Sequence, residues 1–98
     1  MMFSIKASNY QGNTMLNICD AKLLGQTLKQ DGLDMKIAES YYGERIVDET
    51  EAADLLKNAT IINMVGEKTI SLSTRLGIGS EKGARIIAGV PFLIVFKV

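Results

Sequence analysis

The chain predicts a single-domain α+β fold, and three observations carry that prediction. Phe3, Ile5 and Ala7 alternate with Ser4, Lys6 and Ser8, the period of a half-buried strand. Ala52, Leu55, Leu56 and Ala59 recur at helical spacing directly behind the polar run Asp48-Glu49-Thr50-Glu51. Hairpin and turn signals are mixed among the helices, which favours a mixed or antiparallel sheet with about three helices. The 98 residues suffice for one compact domain and no more.

Taken in order, Asn9 to Asn13 with Gly12 reads as a hairpin loop, and Thr14 to Cys19 returns as a second strand with Leu16 and Ile18 inward. Asp20 is placed to cap a short helix carrying Leu23, Leu24 and Leu28, which stops before the turn at Asp31-Gly32. Leu33, Met35 and Ile37 alternate with Asp34, Lys36 and Ala38, a further strand with one wet face. Ser40 to Val47 reads as a loop or short strand around Tyr41-Tyr42-Gly43.

Asp48 and Glu51 form a capping box for the second helix, because each side chain can reach the other's free backbone N–H. Thr60 to Met64 reads as a short buried strand. A third helix opens at Gly66 and ends at Gly77, with Val65, Thr69, Leu72 and Leu76 on one face and Lys68, Ser71 and Arg75 on another. After a glycine-rich connection, Arg85 to Ala88 and Val90 to Val98 read as strands joined by a kink at Gly89-Val90-Pro91. Pro91 has no N–H to donate and belongs at a strand start or edge. Phe92 to Phe96 is apolar without alternation, so it predicts a strand covered on both faces. The expected order is β-β-α-β-(β)-α-β-α-β-β.

The charges balance to +0, so no global field draws the chain to nucleic acid or membrane. Residues 61–98 are nevertheless mildly basic, with Lys68, Arg75, Lys82, Arg85 and Lys97 against Glu67 and Glu81. The sequence shows no targeting or membrane-spanning segment, and a cytoplasmic location is expected by default. Cys19 is the single cysteine, so no internal disulfide is available.

Histidine is absent. That removes the commonest general acid–base, every Ser-His and Cys-His dyad, and the usual zinc and iron ligand sets. No catalytic residue, metal site or cofactor is therefore expected. The acids at 48–54 fit a helix start better than a magnesium site. Gly77-Ile78-Gly79-Ser80-Glu81-Lys82-Gly83 fails both the dinucleotide and the Walker patterns, because its glycine spacing is wrong and Ala84 follows Gly83. Cys19 lacks a positioned base.

Two segments carry binding potential. Tyr41, Tyr42, Gly43 and Arg45 combine aromatics and charge outside regular structure, where tyrosine suits base stacking or protein contacts. Asn63, Gly66, Lys68 and Arg75 surround a helix start at which backbone N–H groups can approach an anion.

Cys19-Asp20-Ala21-Lys22-Leu23-Leu24-Gly25, Tyr41-Tyr42-Gly43, Ala59 to Glu67 and Gly89-Val90-Pro91 together resemble, in order and spacing, a small archaeal family catalogued as domain of unknown function 424. The resemblance implies an archaeal, cytoplasmic, stand-alone protein of about this length without established activity, and an association with RNA or translation. Members of that family often have His-Ala-Gln after Gly-Val-Pro. Here Phe92, Leu93 and Ile94 stand there, so no role of that histidine carries over. The expected function is a non-catalytic binding module for RNA or a ribonucleoprotein. The alternative is a protein-interaction or homodimerising domain that uses the apolar C-terminal strand, and an enzyme ranks third.

Overall fold

A computed structural model of the chain describes residues 1–97. A six-stranded mixed sheet lies beside a separate two-stranded hairpin. The first hairpin joins β1 (Met2–Tyr10) to β2 (Asn13–Asp20) through Gln11 and Gly12, at φ 50 and 81. Both φ values are positive, as a two-residue type I′ turn requires.

The helix expected after Asp20 is not formed. Ala21–Leu23 make a single 3-10 turn, Gly25 reverses the chain at φ 85, and Thr27–Gln30 is β3. Leu23, Leu24 and Leu28 do not share one helical face, and Leu28 is buried by alternation instead. Asp31-Gly32 is a second two-residue turn with both φ positive, joining β3 to β4 (Leu33–Lys36). In β4 the expected one-faced burial fails. Leu33 and Met35 are exposed, and only Ile37, just past its end, is buried.

The 40–47 segment is more regular than a loop, with a helical turn α1 (Glu39–Tyr42) followed by β5 (Arg45–Asp48). The helix α2 (Glu49–Asn58) starts as the capping box dictates, the Asp48 carboxylate accepting from the Glu51 N–H at 2.9 Å. Then β6 (Ile61–Val65) leads into α3 (Glu67–Arg75), which begins after Gly66 and ends before Gly77. The last hairpin pairs β7 (Arg85–Ile87) with β8 (Val90–Phe96), and the Gly89 kink proves to be a tight turn, Ala88 and Gly89 at φ 49 and 80. Pro91 sits near the start of β8, as its missing N–H demands. Val98, the last residue of the expected strand, lies outside the described residues.

The sheet order is β5-β1-β2-β6-β8-β7, and among the described residues only β2 and β6 pair in parallel, with Leu16 opposite Ile62 and Ile18 opposite Met64. One face of the sheet buries Phe3, Ile5, Leu16, Ile18, Ile62, Met64 and Leu93 beneath Ala52 and Leu56 of α2 and Ile70 and Leu72 of α3. Fully burying side chains of this size contributes about 1.5–3 kcal/mol each, which makes this cluster the main driving force of folding. The opposite face is covered at one end only. There Leu28, Ile37 and Tyr42 pack on Cys19, Val65 and Phe92. Among the described residues, no helix is long and apolar enough to cross a membrane.

Candidate functional site

The registers place whole rows of side chains on the uncovered end of that second face. Ser8, Met15, Ile61 and Phe96 form one row across β1, β2, β6 and β8. Lys6, Asn17, Asn63 and Ile94 form the next. The third row, Ser4, Cys19, Val65 and Phe92, already lies under the β3–β4 hairpin and α1. The strand expected to be covered on both faces is so at Phe92, but at Ile94 and Phe96 it is covered on one only. Ile94 is 59% and Phe96 69% exposed, whereas Leu93 is buried under the helices.

At the centre of this face the Asn63 amide donates to the Asn17 side-chain carbonyl at 2.7 Å, a half-buried polar pair between apolar neighbours. Tyr10, 66% exposed, lies at the far end of β1. The cation of these rows is Lys6, whose Nζ already donates to the Ser40 carbonyl at 2.8 Å.

The sheet edges differ. The N–H of Ala7 faces outward beyond the end of β5 and donates to a Glu44 carboxylate oxygen at 3.3 Å. A carboxylate on an outward N–H blocks strand addition at that margin. On the opposite margin β7 pairs only with Val90 to Phe92. The Pro91 carbonyl and the Lys97 N–H turn inward, to Gly66 N and the Thr60 carbonyl. By the alternation of a strand, the N–H and C=O groups of Ile94 and Phe96 turn outward. Among the described residues nothing bonds to them.

A second feature lies at the carboxyl ends of the parallel strands. Gly66, at φ 109, packs so closely on Asp20 that an added Cβ would lie 2.4 Å from its carboxyl carbon. The Asp20 carboxylate is buried and accepts from the N–H groups of Lys68 and Thr69 and from the Thr69 hydroxyl. The start of α3, read from sequence as an anion site, thus holds an anion belonging to the chain. A shallow hollow of about 250 Å³ beside it is lined by Asp20, Lys22, Gly66, Lys68, Gly89 and Pro91.

The residues singled out from sequence do not gather in one place. Tyr41 is 64% exposed on α1, while Tyr42 packs in the second cluster and its carbonyl accepts from the Ser4 hydroxyl. Gly43 ends α1, where a Cβ would strike the Glu39 backbone at 2.8 Å. Arg45 pairs with Glu51, and Arg75 with Glu49 at 3.5 Å. Gly66 and Lys68 belong to the Asp20 contact, and Asn63 alone lies on the open face. The sequence pointed to the apolar C-terminal strand but not to Lys6, Met15, Asn17 and Ile61 beside it on this face. The strict period-2 spacing of Lys6, Ser8 and Tyr10, and of Met15 and Asn17, was the available signal.

Cys19 is buried, and that burial, with the neighbouring Asp20 charge second, pushes its thiol from 9.0 up to about 12. A thiol held protonated in this way is a poor nucleophile. The acids at the start of α2 are engaged as a cap and as ion pairs.

Comparison with known proteins agrees with the fold. A crystal structure of an uncharacterized conserved protein from Methanopyrus kandleri matches with a TM-score of 0.84 and 23% identity, over 100% of this chain and 95% of that one. No curated protein sequence matches. The model of a protein of unknown function, DUF424, covers residues 8–98, so the resemblance read from the four segments holds and the chain belongs to that family.

Proposed function

We propose that the chain is a non-catalytic binding module that docks a partner protein onto its open sheet face. The observation that carries this reading is the pair of uncovered rows, Ser8-Met15-Ile61-Phe96 and Lys6-Asn17-Asn63-Ile94. Apolar side chains in contiguous rows on a sheet are normally covered, and such patches mark interaction sites. A central polar pair inside an apolar surround adds orientation, since burying it unmatched is costly.

The test is affinity capture from a native extract with the tagged full chain. Met15→Glu and Ile61→Glu should each lose a partner that the helix-side control Lys57→Glu keeps. Equal recovery by all the variants would reject the open face as the docking surface.

A single-stranded RNA ligand is the second reading, favoured by the exposed aromatics Tyr10 and Phe96 beside the Asn17 and Asn63 amides. Bases stack on such rings, and amides read base edges. The cations weigh against it. Lys6 is engaged, Arg75 is paired, and Lys97 caps α2 through the Leu56 and Lys57 carbonyls. Binding that falls steeply as salt rises, and is lost in Phe96→Ala, would establish the RNA reading over the protein one.

A further inference from the structure

We propose that the bare half of β8 is a self-association edge, on which a second copy of this chain adds its own β8 antiparallel with Ile94 opposite the partner's Phe96. The inference rests on the open-face reading and names one partner for part of that face.

The backbone carries the argument. Ile94 and Phe96 present N–H and C=O groups outward, and no described residue meets them. Outward backbone groups on an extended strand match another extended strand and little else. A two-fold axis through Val95 sets Ile94 against the partner's Phe96 and Phe96 against the partner's Ile94, so every outward group finds a mate.

Side chains agree with the backbone. Ile94 and Phe96, both mostly exposed, become cross-strand neighbours on the open face, the aromatic–aliphatic pairing that stabilises sheets. On the other face Val95, only partly buried against the main core, meets its own copy. No like charges are opposed within Ile94 to Phe96, and the chain's net charge of +0 sets up no repulsion between copies.

The contrast between the margins decides against an incidental edge. The β1 margin is blocked by Glu44 on the Ala7 N–H, the usual protection against unwanted pairing. The β8 margin has neither charge, proline nor bulge between Ile94 and Phe96, and both its outward side chains are apolar. The window is short because β7 occupies the line beyond Phe92, so the pairing is local and the dimer belongs to the weak, small-interface class.

Sedimentation equilibrium of the full chain from about 10 μM to about 1 mM tests this directly, a span suited to weak association. The expected result is a monomer–dimer equilibrium in the wild type, with the dissociation constant raised at least about tenfold in Ile94→Lys and in Phe96→Lys. Amide hydrogen exchange on the wild type gives a readout that needs no variant. The Ile94 and Phe96 amides should become more protected as concentration rises, while the Asp34 amide should not. A wild type that stays monomeric throughout overturns the inference. So does a dimer that leaves both amides unprotected, which would form through another surface. A monomer whose Met15→Glu and Ile61→Glu variants still lose a partner protein overturns only the self-association, leaving the open-face reading standing.

Discussion

Thr69 holds Asp20 twice. Its backbone N–H and its hydroxyl both donate to the same carboxylate oxygen at 2.8 Å, while Lys68 N–H donates to the other at 3.1 Å. The end of β2 thereby caps a helix 49 residues away. A cap supplied from a distant strand does for α3 what Asp48 does locally for α2.

Asp20→Ala removes these bonds at a buried position, so unfolding stability should fall by about 2–4 kcal/mol. Thr69→Val removes only the hydroxyl donor and should cost about 1 kcal/mol. Urea titration of both variants checks the ratio. Equal losses would mean that the backbone bonds to Asp20 contribute little.

Gly66→Ala places a methyl group against that carboxylate at a φ of 109, which no side chain adopts without strain. The expected loss exceeds about 3 kcal/mol, from strain and collision together. Gly12→Ala, at φ 81 with open space around it, should cost only about 1–2 kcal/mol of left-handed strain. Thermal denaturation of the pair separates the two causes.

Ala88 occupies a left-handed turn position better suited to asparagine, and its N–H donates to the Gln30 side chain at 2.6 Å. Ala88→Asn should therefore stabilise the chain by about 0.5–1 kcal/mol while keeping the backbone bond. Gln30→Ala should cost about 0.5–1 kcal/mol by freeing that N–H. A destabilised Ala88→Asn in the same denaturation assay would show that the turn is constrained by more than its own dihedrals.

The buried Cys19 thiol sets a pH dependence. Its folded value of about 12 exceeds its ordinary 9.0, so above pH 9 the unfolded chain loses a proton that the folded chain keeps. Its contribution is thus intact below pH 9 and is lost progressively as the pH rises towards 12. Tyr42 is also raised, by burial and then by the Cys19 and Tyr41 charges, and acts in the same direction. Cys19→Ala should flatten part of this alkaline slope, seen as smaller changes in urea midpoint. At pH 8 a thiol reagent should label Cys19 only in denaturant.

Much of the architecture was legible because local signals and tertiary demands agreed. Asp48 and Glu51 announced α2, Gly66 and Gly77 bounded α3, and alternation from Phe3 and from Thr14 set the first hairpin. The false helix at Asp20 shows where agreement ends. Asp20 does cap a helix, but one its neighbours in sequence could not reveal. The Asp31-Gly32 pair was read as a stop, although a two-residue Asp-Gly turn equally joins strands. For β8, an apolar run suggested cover on both faces, and only the register shows that one face at Ile94 and Phe96 is open. The candidate surface was hidden for the same reason, since its rows join residues from four strands.

The long-range cap also bears on the order in which the chain folds. With nine residues, α3 is too short to persist alone in water. Its cap arrives only once β6 has docked beside β2, a parallel pairing that closes a loop of more than forty residues. The β1–β2 hairpin can form early, from local contacts, but α3 must wait for a distant partner and should consolidate late in the folding reaction.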